Sequence, residues 1–240
     1  MRQIATLALG DLKQISRDAL MILVTVAPVL LSLVIGYAVP WIDGTWLVGL
    51  PFALGDYDLL SLSFLLLVSP LMLGVLSGFI ILDERDEGIL MQLAVTPLSH
   101  TRYLLYRMLG PVLVSTVLSF FVMPIAGINP LSLFEMIPIV ATMALEAPII
   151  ALAMVSFAAN KVEGMAVSKV LSLILIAPAV VYFVPSVWQY TAGILPSFWA
   201  AKAFFASARG SEDVWFWILC SLCYHLFLVW FLGRRFRPRG

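Results

Sequence analysis

The sequence predicts an all-α fold, a polytopic membrane bundle of six transmembrane helices. Three observations predict it. Of its 240 residues, 62% are hydrophobic and 12% charged, against about 25% charged in ordinary soluble domains. The apolar residues gather into six runs, at about 20–40, 59–82, 103–126, 136–158, 167–184 and 214–232. Each run is close to the ~20 helical residues needed to cross ~30 Å of hydrocarbon. Finally, the charges lie between the runs and are unevenly shared. With the N-terminus inside, Arg2, Lys13, Arg17, Arg85, Arg102, Arg107, Lys161, Lys169, Arg234, Arg235, Arg237 and Arg239 face the cytoplasm. Only Lys202 and Arg209 remain outside. Positive charge resists translocation, so both termini are expected in the cytoplasm and the chain in a cell (inner or plasma) membrane, crossing it several times. The 14 basic and 14 acidic side chains cancel, and nothing suggests a nucleic-acid partner.

Taken in order, the elements read as follows within a single domain over 1–240. Residues 1–18 form an amphipathic pattern, with Ile4, Leu7, Ala8, Leu12 and Ile15 at helical spacing and Arg2, Gln3, Lys13, Gln14 and Arg17 opposite. Such a helix lies in the membrane interface, its cations near lipid headgroups. The first span is long and five more follow, so it reads as a retained anchor, not a signal peptide. The first outer loop carries Asp43, Asp56 and Asp58 with Trp41, Trp46 and Tyr57, the aromatics belonging to an interfacial belt. In the second span Gly74 and Gly78 form a GxxxG pair, a surface for close approach of another helix.

Prolines 28, 70, 124, 138, 148 and 178 fall inside spans. Each removes a backbone donor and tends to kink its helix. Glu146 lies near the middle of the fourth span, two residues before Pro148. A charge there costs about 2.5–3.5 kcal/mol on insertion scales and often marks a pathway. It is a candidate polar site for a cation or substrate. The alternative is a protonated carboxyl bonded to a neighbouring helix or to carbonyls freed by Pro148. His225 in the sixth span is a possible partner, though no sequence argument joins them.

Residues 185–213 are too broken by Pro185 and Pro196 to span, and too apolar for a free loop. They fit a re-entrant or interfacial pair of short helices, because backbone at that depth must find partners within protein. Cys220 and Cys223 share a face of the sixth span, but a zinc site needs further ligands. They read as packing residues, and no metal or catalytic site is expected.

The most informative segment separates the second and third spans. Asp83, Glu84, Arg85, Asp86 and Glu87 extend the second helix past the membrane surface, and Gly88 permits a break. A short amphipathic helix follows, with Leu90, Leu93 and Ala94 on one side. Thr96 and Pro97 end it, and Ser99 can cap the next helix. This segment resembles the first cytoplasmic loop of type-2 ABC exporter permeases, of the form Glu-Arg-x-x-Gly-Thr-Leu-Glu-x-Leu-x-x-Thr-Pro-Leu-Ser. Glu84, Arg85, Gly88, Leu90, Leu93, Thr96, Pro97, Leu98 and Ser99 match it, whereas Ile89 and Met91 depart from it. The run Leu195-Pro196-Ser197-Phe198-Trp199 also sits where that family has a Leu-Pro element. In size and layout the chain is most similar to the drug-export members.

The resemblance implies a coupling helix seated in a separate cytoplasmic ATPase, of which two copies would bind ATP and magnesium beneath two permease subunits. The permeases would form a homodimer or heterodimer in contact with membrane lipids. In this picture Glu84 and Arg85 contact the ATPase, Leu90 and Leu93 supply the apolar docking face, and the cargo is hydrophobic or amphipathic, drug-like or lipid-like. The chain itself has no G-x-x-x-x-G-K-[ST] phosphate loop, so it is expected to be no enzyme and to hold no cofactor. Two other transport or assembly roles compete. An ion-driven carrier centred on Glu146 would ordinarily show more intramembrane charge or repeated halves, and a non-transporting assembly subunit leaves no mark in sequence. An intramembrane enzyme would have only Cys220, Cys223 and His225 to work with.

Overall fold

The computed structural model describes residues 19–88 and 100–236. The expected interfacial helix over 1–18, the short helix following Gly88, and Arg237 and Arg239 lie outside the described residues. Among those described there is no strand. Six helical stretches are long and apolar enough to cross a membrane: Ile22–Thr45, Leu54–Asp86, Tyr103–Ile125, Leu133–Phe157, Lys161–Phe183 and Val214–Arg235. Their positions match the six apolar runs, and the chain is a multi-pass membrane bundle.

The second and fourth spans form its centre. In their most apolar stretches 78% and 83% of residues are buried, against 11–28% in the other four. The second span is mainly α3 (Asp58–Asp86), preceded by a 3-10 turn at Leu54–Tyr57. At 29 residues, α3 is roughly 44 Å long at 1.5 Å per residue, so it outreaches the ~30 Å hydrocarbon layer. It packs on α6 (Glu146–Phe157) through Gly74 and Gly78. A β-carbon at Gly74 would stand 2.6 Å from the Ala147 carbonyl oxygen, and one at Gly78 would stand 2.7 Å from the Met154 sulfur. The GxxxG pair is therefore an intrachain seam, where missing side chains let two backbones meet.

Proline and its consequences shape the remaining spans. The first comprises α1 (Ala19–Leu33), a π-helical turn at Val34–Ala38 and α2 (Val39–Thr45). Pro40 sits in the first turn of α2 and cannot donate to the preceding turn, and the wider turn with its Val39 N–H bonded to Val34 takes up the fault. This span runs past residue 40 to Thr45, whose hydroxyl donates to the Trp41 carbonyl at 2.6 Å. Asp43 then accepts the backbone N–H groups of Leu54 and Gly55 at 2.8 and 2.9 Å, closing the loop between the first and second spans.

The third span lies in α4 (His100–Ile125). The fourth breaks at Leu145 between α5 (Leu133–Ala144) and α6. The fifth runs through α7 (Lys161–Leu171), a 3-10 turn at Ser172–Leu175 and α8 (Ile176–Phe183). It begins six residues before the apolar run because Asn160 caps it, its side chain accepting the Glu163 N–H at 2.9 Å.

After the fifth span the chain re-enters the bundle. A 3-10 segment, Val187–Ile194, leads to Leu195-Pro196 and then to α9 (Pro196–Ala208) before α10 (Val214–Arg235). Helix α9 is a core element: Phe198, Ala200, Ala201, Ala203 and Phe204 are wholly buried. Its depth exposes the physics of re-entry, since every backbone group near the apex needs a partner. The Ile194 carbonyl accepts from the Tyr224 hydroxyl, and the Gly193 carbonyl from the Trp199 indole, both at 2.9 Å. Pro178 cannot donate to the carbonyl four residues back, that of Ile174, and the buried Ser197 hydroxyl takes this acceptor at 2.6 Å. Among the described residues the carbonyl is otherwise reached only by the Ile176 N–H, which it shares with Leu173, so the Ser197 bond anchors the apex of the hairpin to the fifth span.

Candidate functional site

Two polar constellations stand out from the apolar bundle. The first is the end of α3, where four consecutive charged residues reach three neighbouring helices. Tyr103 and Arg107 lie one turn apart on α4 and so share a face. The Glu84 carboxylate accepts hydrogen bonds from the Tyr103 hydroxyl and the Arg107 guanidinium. Arg107 is 6% exposed, lies against the Tyr103 and Tyr106 rings, and its carbonyl accepts from Ser77 at 3.2 Å. Arg85 turns the other way and donates to the carbonyls of Val155 and Ala158, both at 2.9 Å. A guanidinium there completes the unpaired C-terminal carbonyls of α6 and complements its dipole.

Asp83 and Asp86 reach the start of α7. Lys161 Nζ donates to Asp83 at 2.8 Å, and the Lys161 backbone N–H to Asp86 at 3.3 Å. The Asp83–Lys161 pair is substantially exposed and so contributes little by itself. Beyond the last residue of α3 the chain turns at Gly88, which adopts φ +72° and donates to the Arg85 carbonyl at 3.1 Å. Glycine reaches this left-handed conformation without the steric cost a side chain imposes. Of the expected coupling residues, Glu84, Arg85 and Gly88 therefore form a braced stub, with Glu84 and Arg85 engaged inside the bundle. Leu90, Leu93, Thr96 and Pro97 lie outside the described residues.

The second constellation is deep in the bundle. The break at Leu145 begins α6 at Glu146, which is 1% exposed, and His225 of α10 is wholly buried. His225 Nε2 lies 3.3 Å from Glu146 Oε1, and its Nδ1 lies 2.7 Å from the Ser221 carbonyl. A carbonyl only accepts, so Nδ1 carries a proton. The contact to Glu146 then needs a second proton, on the carboxyl or on Nε2. Either placement leaves the pair with no net charge, which suits an apolar interior. Glu146 Oε2 is buried with no hydrogen-bond partner among the described residues.

Sequence reasoning singled out Glu146 and named His225, and the structure brings them together. It missed the roles of Tyr103, Arg107 and Lys161. The i, i+4 spacing of Tyr103 and Arg107 was the signal available for two of them.

Comparison with known proteins is consistent along the chain. The family model described as "Fluoroquinolones export permease protein Rv2686c-like" matches residues 11–233. Two curated relatives come from Mycobacterium tuberculosis: "Fluoroquinolones export permease protein MT2760" of strain CDC 1551 / Oshkosh, and "Fluoroquinolones export permease protein Rv2686c" of strain ATCC 25618 / H37Rv. Each is 32% identical over 242 residues, covering 99% of this chain and 95% of the relative. No solved structure matches the chain.

Proposed function

The chain belongs to the Rv2686c-like fluoroquinolones export permease family, and from that premise we propose that it is the membrane subunit of an ATP-driven ABC exporter. Its cargo is an amphipathic, drug-like aromatic compound of the fluoroquinolone kind. A separate cytoplasmic ATPase supplies the energy, with two ATPase copies beneath two permease subunits and both permease termini on the same side as the ATPase. An ATPase moves such a bundle only by binding its two conformations with different affinity. The permease must therefore carry movement from the docking segment into the spans.

The braced end of α3 is the observation that supports this reading. Residues 83–86 bind α4, α6 and α7 immediately before the segment that resembles a coupling helix. Leu90 and Leu93 form the docking face, with Gly88, Thr96 and Pro97 setting the limits of that segment. Glu84 and Arg85 act as positioning residues: they hold the stub against the spans that must move. The test uses inside-out vesicles holding the chain and its ATPase, with ATP-dependent uptake of a fluorescent fluoroquinolone as readout. Arg85→Ala is expected to keep the ATPase bound while lowering uptake about tenfold or more, whereas uptake at the unaltered rate would contradict the positioning role.

A second reading, an ion-driven carrier, has one observation in its favour, the unpartnered buried oxygen of Glu146. Uptake driven by a proton gradient without ATP, and lost in Glu146→Gln, would select it.

A further inference from the structure

At the outer end of the bundle a cleft of about 320 Å³ opens between the start of α5, the end of α9 and the start of α10. That volume lies at the lower end of the range for sites that take drug-sized molecules, roughly 300–1,000 Å³. Its walls combine the Phe134 and Trp215 rings with the carboxylates of Glu135 and Glu212 and the hydroxyl of Ser207.

Charge in this neighbourhood is sorted. The two outer cations are held on aromatic faces elsewhere: Arg209 lies 5.4 Å from the Phe205 ring centre, and Lys202 lies 4.9 Å from that of Trp217. Neither lines the cleft. Asp213 is engaged by the Ser211 hydroxyl and the Trp217 indole. Glu135 commits Oε2 to Ser132, at 2.8 Å from its N–H and 2.7 Å from its hydroxyl, which leaves Oε1 and the whole Glu212 carboxylate facing solvent. The C-terminal end of α9 adds the negative pole of its dipole.

The hydroxyl of Ser207 is available to a ligand in the cleft. Ser207 is only 7% exposed and lines the cleft, yet its Oγ makes no hydrogen bond to a described residue. It is therefore free to bond a molecule in the cleft.

From the aromatic walls, the acidic rim and this unpartnered hydroxyl we infer that the cleft binds an amphipathic aromatic ammonium compound, as an outer station on the export path. The rings of Trp215 and Phe134 take its apolar body, Glu212 and Glu135 its ammonium group, and Ser207 a polar substituent. The substrate class rests on the export reading, but binding to the chain alone is independent of any ATPase. A failed binding test therefore leaves ATP-driven export standing, and a failed transport test leaves the cleft standing.

The experiment is equilibrium binding of quinacrine, a fluorescent aromatic amine, to the full chain in maltoside micelles and again in phosphatidylcholine nanodiscs, with empty particles subtracted. Saturable binding is expected in both. Glu212→Lys, an exposed change that leaves the fold intact, weakens it by about tenfold or more through charge reversal. Ser207→Ala weakens it by roughly threefold to tenfold. Both variants keep the wild-type affinity for an uncharged probe, N-phenyl-1-naphthylamine. Equal quinacrine affinity in wild type and both variants would overturn the assignment. Binding in maltoside that vanishes in phosphatidylcholine would give the cleft to a lipid headgroup, and would overturn it as well.

Discussion

At the scale of single residues, the bundle is held by polar groups that apolar composition conceals. Ser197 is wholly buried, and its hydroxyl serves the Ile174 carbonyl, to which Pro178 cannot donate and which the Ile176 N–H shares with the Leu173 carbonyl. Ser197→Ala removes this buried hydrogen bond and leaves the carbonyl only the shared Ile176 N–H, at a cost of about 0.5–1.5 kcal/mol. Thermal unfolding in detergent should show a lower midpoint, and an unchanged midpoint would mean the carbonyl finds another partner. Glu146 and His225 form the other such contact. His225→Ala strands a buried carboxyl and should destabilise by about 1–3 kcal/mol. Combining it with Glu146→Leu should recover most of that loss, because no polar group is then left without a partner. A double variant no more stable than His225→Ala alone would show that the two side chains do not interact. Glu146 was legible as an outlier of charge in an apolar run. Its partner was not, because helix register gives the face of a residue but not which distant helix it meets.

At the scale of elements, the contact between α3 and α6 depends on missing side chains. The two glycines look equivalent in sequence, four residues apart on one face, but the structure separates them. An added β-carbon at Gly74 would meet the Ala147 carbonyl, a backbone atom that cannot step aside. At Gly78 it would meet the Met154 sulfur at 2.7 Å, in a flexible chain that can turn away, and the Met154 Cβ at 3.0 Å, a tight contact that a small shift relieves. Gly74→Ala should therefore cost about 1–3 kcal/mol as an overpacked seam, and Gly78→Ala clearly less. Thermal midpoints measured side by side check this, and equal midpoints would contradict the ordering. The six spans were readable because about 20 apolar residues leave few alternatives. The early start of the fifth span was missed because Lys161 and Glu163 lower the local hydropathy, while a cap, not hydropathy, decides where the helix begins. The re-entrant segment was legible as a conflict between too many apolar residues and too many prolines. Its burial as a core helix came only with the contacts of Ser197, Trp199 and Tyr224.

At the scale of the whole molecule, two buried central spans carry four peripheral ones, and the strongest cross-links lie at one end of α3. Asp83, Glu84, Arg85 and Asp86 were legible as a topological charge cluster and, through the family pattern, as part of a docking loop. Their partners on three other helices were not, because each partner is at least 19 residues away in sequence. In the proposed export mechanism force enters the bundle at the end of α3, whereas the loops at the opposite end close on themselves through Asp43 and Asp213. ATP-driven export requires that a nucleotide-hydrolysing partner engage the segment after Gly88. The measurement is recovery of the detergent-solubilised chain from its native membrane, with ATP hydrolysis assayed in whatever accompanies it. A co-purifying ATPase is expected, and it is lost when Leu90 and Leu93 are both changed to Asp. Recovery of the folded chain alone, without ATP hydrolysis, would contradict ATP-driven export.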